Sequence, residues 1–321
     1  MESVRYVLLD IEGTICPISF VKDTLFPHAI KALPDVLAAK WDDDAFKPYR
    51  EAFPEKHRAF PQALMDHVAD LTKRDVKVAY LKNLQGFLWE EGYRTGAYST
   101  PLFPDVAPQL QRWKEAGLQL AIFSSGSVFA QKLLFEHVNL NESTTSKECS
   151  ADETETGGYD SKLVETLSQK CTRVTGSSIG KGAGKKESEA SESGVEESAA
   201  PRSKPVEDLR GLMSGWFDTS SAGSKTQASS YRNIVDSMKW LSSQTLFLSD
   251  NVQEIDAACE AGLKAILIDR PGNAPIAQVD RDRLKVAHSL DSIVVQRMVS
   301  APSVDVAHDA QAAVNRGIEN T

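Results

Sequence analysis

Four short apolar runs punctuate the chain, and each ends on small or polar residues. RYVLLD at 5–10 leads into Glu12, Gly13 and Thr14, and LQLAIF at 118–123 leads into Ser124, Ser125, Gly126 and Ser127. TLFL at 245–248 meets Ser249, Asp250 and Asn251, and KAILI at 264–268 meets Asp269, Arg270, Pro271 and Gly272. Runs this short, closed by turn formers, predict strands buried on both faces, as in parallel sheets. Helical spacing lies between them: Val106, Leu110 and Trp113 before the second run, and Val252, Ile255, Ala258 and Cys259 after the third. Strands alternating with helices predict an α/β fold with a doubly wound parallel sheet. Its ligand site belongs at the carboxyl ends of the strands, where Asp10, Ser124 and Asp250 fall.

Two stretches do not fit a minimal sheet. Roughly 100 residues separate the first two strands, whereas a crossover needs only about 10–12. Within them Val78, Leu81, Leu84, Gln85 and Leu88 keep helical spacing, and Pro27, Pro34, Pro48, Pro54 and Pro61 divide the rest into pieces. A small helical cap domain over 19–97 is the expectation. The second stretch, 141–207, has one aromatic residue, Tyr159, and is rich in Ser, Thr, Gly, Glu and Lys. Such a composition cannot bury enough apolar surface to offset chain entropy, so it reads as a disordered low-complexity insertion. The segment 301–321 reads as a flexible tail on the same grounds. Residues 1–18, 98–140 and 208–300 then form the core domain.

Composition narrows the classes of function. The 321 residues are 41% hydrophobic and 25% charged, with a formal charge of −9 and no block of Lys and Arg, so nucleic acid is not an expected partner. No apolar run is long enough to span a membrane. Cys16, Cys149, Cys171 and Cys259 form no CxxC pair and have no His at metal spacing, so free thiols are expected. No secretory signal is apparent, and a cytoplasmic location follows, with the nucleus as a second compartment.

The strand ends carry the chemistry. Asp10 and Glu12 stand two apart just past a strand, where a turn at Gly13 aims both into one pocket. Ser124 and Ser125 offer hydroxyl and N–H groups beside a helix N-terminus, a favourable place for an oxyanion. Lys225 supplies a cation, and Asp250 with Glu254 places acids at a helix start. Taken singly these are a polar turn, a helix cap, a surface lysine and acids complementing a helix dipole. Together they form a kit for metal-assisted phosphoryl transfer. Asp10 would attack phosphorus, with a hard oxygen site for Mg²⁺ to neutralise the repelling charge. Glu12 would act as general acid and then base, while Lys225 and Ser124 hold the phosphoryl oxygens.

These residues resemble the four motifs of the haloacid dehalogenase-like phosphatases, at Asp10 to Thr14, Ser124, Lys225 and Asp250. Glu12 stands where most of that superfamily has Asp. With Cys16 to Val21, Leu25 to Pro27, Leu84 to Gly86, Trp89, Tyr93, Ile122 to Leu134, Trp216 to Thr219, Ser230-Tyr231 and Arg270 to Ala274, the chain is similar to the enolase-phosphatases of methionine salvage. The resemblance implies a Rossmannoid core with a helical cap. It implies enolisation of 2,3-diketo-5-methylthiopentyl 1-phosphate followed by Mg²⁺-dependent loss of phosphate, leaving an acireductone. It further implies Asp10, Glu12 and Asp250 at one Mg²⁺, Ser124, Ser125 and Lys225 at the substrate, Asp10, Glu12 and Lys225 in catalysis, and a monomer.

Two other readings stand beside this one. A general small-molecule phosphomonoesterase of the same superfamily would share every core residue and differ in its cap. An idle scaffold using the low-complexity segment to recruit partners would have little use for the five polar residues together. Among the aromatic residues, Phe20, Trp89 and Tyr93 are candidates for reading the methylthio tail.

Overall fold

The structure is a computed structural model describing residues 4–74, 76, 78–140 and 206–295. Of the low-complexity insertion expected over 141–207, residues 141–205 lie outside the described residues, as do the tail expected at 301–321 and Cys149 and Cys171. Glu207 pairs with Val138 through main-chain hydrogen bonds, so the expected insertion reaches too far at its end.

A six-stranded parallel sheet forms the centre. Its strands are β1 (Tyr6–Leu9), β3 (Gln119–Phe123), β5 (Met213–Phe217), β6 (Thr245–Ser249), β7 (Lys264–Ile268) and β8 (Val286–Ala287). They lie in the order β5-β3-β1-β6-β7-β8, so the chain winds outward on one side of β1 and then returns to build the other. That reversal opens a crevice at the carboxyl ends of β1, β3 and β6. β2 (Thr100–Pro101) and β4 (Val138–Asn139) pair separately, and Val138 also bridges antiparallel to Glu207.

Strand alternation divides the core in two. Val7, Leu9, Leu120, Ile122, Leu246 and Leu248 pack with Val106, Leu110 and Trp113 of α5 (Val106–Glu115) and with Leu133 and Leu134 of α6 (Val128–Glu136). Leu8, Ala121, Phe123, Phe247 and Leu267 pack on the other face with Tyr231, Ile234 and Val235 of α7 (Ala228–Met238) and Ile255 and Ala258 of α8 (Val252–Glu260). Each fully buried Leu or Phe contributes about 1.5–3 kcal/mol. Cys259, counted in the apolar pattern of α8, is exposed, and Glu254 takes a place on the buried face. A short α9 (Gln278–Arg283) precedes β8.

Between β1 and β2 lie α1 (Phe26–Lys40), α2 (Lys47–Glu51), α3 (Pro61–Lys73) and α4 (Ala79–Arg94). They enclose their own core of Leu33, Leu37, Phe46, Phe53, Leu64 and Leu84, among others. Pro48 and Pro61 begin helices, where a missing N–H costs nothing. Pro34 does not divide its segment as the sequence suggests. It sits inside α1, whose Ile30, Leu33, Val36 and Leu37 are buried on both sides of it, and this packing carries the helix through. α4 lies against α6 so closely that a Cβ on Gly86 would sit 3.0 Å from the Phe129 ring.

Candidate active site

The turn after β1 is built around one glycine. Ile11 O accepts from the N–H groups of Thr14, Ile15 and Cys16, and Gly13 N–H donates back to Cys16 O at 2.8 Å. Gly13 has φ +73°, a left-handed backbone that favours glycine. A Cβ there would lie 2.3 Å from Asp250 Oδ2, so the absent side chain also makes room for that carboxylate. Behind the turn, Arg270 Nε donates to Thr14 O at 3.0 Å and Asn273 Nδ2 to Gly13 O at 2.9 Å. The Arg270 guanidinium is gripped by both oxygens of Asp105 at 2.8 Å, and the pair is almost wholly buried.

Asp10, at the end of β1, is buried and donates its N–H to Leu248 O. Lys225 reaches it from the turn ahead of α7, with Nζ 2.5 Å from Asp10 Oδ1 and 2.7 Å from Glu254 Oε2. Tyr231 OH donates to Lys225 O at 2.6 Å, and Ser249 Oγ donates to Glu254 Oε2 at 2.7 Å. Burial lowers the Lys225 pKa, but the Asp10 and Glu254 carboxylates outweigh it and hold the ammonium above its usual range. It stays charged throughout the neutral range.

The acids feel one another. Burial and then the charges of Asp10 and Glu254 push Asp250 up to about 7. Burial and the Asp10 charge raise Glu12 and Glu254 as well. Four carboxyl groups thus share one ammonium, a site short of positive charge. Ser124 Oγ donates to Glu12 Oε2 at 3.1 Å and accepts from Gly126 N–H at 3.2 Å, which fixes the Glu12 carboxylate. Among the described residues no three His, Cys, Asp or Glu side chains converge as a metal cage. Ser125 is exposed, and its carbonyl accepts from Lys82 Nζ of α4 at 2.9 Å. Ser127 caps α6, its Oγ accepting from Ala130 N–H.

A cavity of about 320 Å³ opens beside Glu12 and Ser124 and runs under the cap. Its walls are mainly apolar, with Val21, Leu25, Leu71, Leu81, Trp89 and Leu134 among them. Trp89 and Tyr93 both line it. Phe20 does not; it packs edge-on against Tyr98 inside the core. Cys16 is buried, and burial and the Glu12 charge raise its thiol pKa, which leaves it a poor nucleophile.

The structure therefore brings Asp10, Glu12, Ser124, Lys225 and Asp250 to one crevice, with Ser125 at its rim. It adds Glu254, which the sequence accounts for as a dipole-complementing acid, and whose only signal is its place four residues after Asp250. It also adds Arg270, Asn273 and Asp105 as supports of the turn. Of these, only Arg270 and Asn273 fall in a quoted string.

The haloacid dehalogenase-like hydrolase family matches residues 4–177, and the chain belongs to that class of enzymes. Similarity to particular relatives is closer. The enolase-phosphatase E1 of Podospora anserina is 40% identical over 296 residues, covering 90% of this chain and 97% of the relative. That of Verticillium alfalfae is 42% identical over 279 residues, covering 87% and 84%. The crystal structure of the UTR4 protein of Saccharomyces cerevisiae is 30% identical, with a TM-score of 0.64, covering 90% of this chain and all of that one. Within its class, the chain belongs to the enolase-phosphatase E1 family.

Proposed function

We propose that this enzyme enolises 2,3-diketo-5-methylthiopentyl 1-phosphate and then removes its phosphate, giving 1,2-dihydroxy-5-(methylthio)pent-1-en-3-one. The observation that carries the reading is the join between two environments. A charged crevice holding Asp10 and Lys225 meets, at Glu12 and Ser124, an apolar cavity large enough for a short thioether chain.

In the hydrolytic half, a carboxylate oxygen of Asp10 attacks phosphorus and forms an aspartyl-phosphate. Lys225 keeps two of its N–H bonds on Asp10 and Glu254 and offers the third to a phosphoryl oxygen. The single hydroxyl proton of Ser124 is given to Glu12 Oε2, so Ser124 orients that carboxyl beside the phosphate. The raised pKa of Glu12 suits it to protonate the leaving oxygen, then to take a proton from the water that opens the intermediate. In the enolising half, Glu12 lies on the cavity side of the crevice and takes part in moving the proton at the carbon that bears the phosphate.

The donor set fits one Mg²⁺. Asp10 and Asp250 would supply hard carboxylate oxygens, the Glu12 side chain is engaged by Ser124, and the surplus of acids leaves positive charge in demand. When bound, the ion supplies that charge to the phosphate and the nucleophile.

The test follows both halves separately, with the diketone phosphate and Mg²⁺, as an ultraviolet rise for the enol and as released phosphate. Phosphate release without an enol signal would favour a general phosphomonoesterase. A Glu12→Gln variant that enolises at the normal rate and fails only in phosphate release would remove Glu12 from the first half.

A further inference from the structure

Enolisation builds negative charge on a carbonyl oxygen, and in a largely apolar cavity that charge needs a donor already in place. With the phosphate at Asp10 and Lys225 and the thioether in the cavity, the two carbonyls fall between, where Glu12, Ser124 and Lys82 line the wall. Gln85, Thr72 and Ser125 line the cavity as neutral donors, and three further donors are spent. Gln131 Nε2 donates to Gly126 O and Phe217 O, Trp89 Nε1 to Leu25 O, and the Ser124 hydroxyl to Glu12. Lys22 also lines the cavity, but its side chain is exposed.

Lys82 differs from all of these. It stands in the first turn of α4, is half-buried, and its Nζ is fixed by a 2.9 Å hydrogen bond to Ser125 O across the gap between cap and core. Ser125 follows Ser124, whose hydroxyl holds Glu12, so acid and ammonium are tied to one short stretch of backbone. One N–H of Lys82 is used on Ser125, and an ammonium has two more. A lysine placed only for solubility would not be anchored at a cavity wall.

We propose that Lys82 is a further catalytic residue of the enolisation, its ammonium holding the carbonyl oxygen next to the phosphate-bearing carbon. The inference rests on the substrate reading above. The step balances as an isomerisation. A base takes a proton from the phosphate-bearing carbon, the C–H electron pair becomes the new carbon–carbon double bond, and the carbonyl π pair moves onto oxygen. Lys82 hydrogen-bonds that oxygen as its charge grows, and a proton delivered there completes the enol. The same contact makes docking of the cap a condition of the first half-reaction.

The test compares the parent enzyme with Lys82→Met and Lys82→Arg. Enol formation is measured from the diketone phosphate, and binding from inhibition by 5-methylthiopentyl phosphate, which has the same ends and no carbonyl. Lys82→Met is expected to enolise about 100-fold more slowly, with Lys82→Arg recovering at least about tenfold of that loss. The inhibition constant stays within about threefold in both. Enolisation by Lys82→Met within about threefold of the parent would overturn the proposal, as would an inhibition constant that rises in step with the lost rate, the mark of a general clamp. If Lys82→Met does not fold by thermal unfolding, Lys82→Gln carries the same comparison. A parent enzyme that forms no enol refutes the substrate reading itself, and shows this before any variant is made.

Discussion

Gly13 and Asp250 meet across the crevice so closely that no side chain can stand between them: a Cβ on Gly13 would lie 2.3 Å from Asp250 Oδ2. Gly13→Ala therefore strains the backbone and displaces the carboxylate at once. The left-handed conformation alone costs about 1–2 kcal/mol for a residue with a Cβ. Turnover is expected to fall about 100-fold or more, because catalytic groups displaced by an ångström lose that much. Steady-state kinetics beside a thermal unfolding curve checks both parts.

Asp10→Asn keeps the shape of the side chain and removes its attacking charge. Phosphate release should vanish while the melting temperature stays near that of the parent. A variant retaining a tenth of the activity would remove Asp10 from the nucleophile's role.

Asp250→Asn addresses the metal. A neutral amide is a poorer partner for a hard dication, so the variant should need far more Mg²⁺ for half-maximal rate and regain activity at high Mg²⁺. A Mg²⁺ titration identical to the parent's would exclude Asp250 from the site.

Asp105 and Arg270 give a pH-dependent stability. Burial alone would raise the Asp105 pKa, but hydrogen bonds from Arg270 and from the Leu290 N–H outweigh it and hold the carboxyl below its usual range. A carboxyl with a depressed folded pKa stabilises fully above its unfolded value, about 4, and the contribution is lost as pH falls through the folded value. Asp105→Asn leaves the buried Arg270 without its counter-charge, at a cost of about 3–5 kcal/mol near neutrality. Melting curves of parent and variant should differ most at pH 7 and converge in acid. A constant gap across pH would mean that the pair carries no ionic stabilisation.

The segment 141–205 departs and returns beside one bridge, where Val138 and Glu207 exchange hydrogen bonds of 3.1 and 2.8 Å through N–H and carbonyl groups. Only a turn is needed to join Leu140 to Val206. Replacing the segment with a short flexible linker should leave turnover and Mg²⁺ dependence within about twofold, since loop length changes closure entropy slowly. A folded variant with a large loss of activity would give the segment a part in the chemistry.

Four inner strands were legible because each is a brief apolar run; β1, β3 and β6 are buried almost throughout, and β7 at Leu267 and Ile268. β5 was not, although its Trp216 and Phe217 lie in a quoted string. It is an edge strand with Ser214 and Gly215 in its middle and an irregular register against β3, so it lacks a continuous apolar run. β2, β4 and β8 are two residues each, too short to leave a period. Asp10, Ser124 and Asp250 were visible as the residues that close strands. Lys225 closes none; it arrives from a turn, and only its place in the motif order singled it out. Glu254 and Lys82 were hidden for a different reason. A glutamate in the first turn of a helix and a lysine on a cap helix are both accounted for locally, and their partners are far away in sequence.

The Val138–Glu207 bridge also marks a seam through the enzyme. On one side lie the nucleophile, Glu12, Ser124 and the whole cap; on the other lie Lys225, Asp250 and Glu254. The two pieces meet where β1 pairs with β6, in the middle of the sheet, and where β3 pairs with the edge strand β5. Cut at this point, the enzyme becomes two polypeptides of which neither holds a working set of charges. Activity regained on mixing them would report reassembly of the sheet, with the chemistry serving as the signal that the halves have found each other.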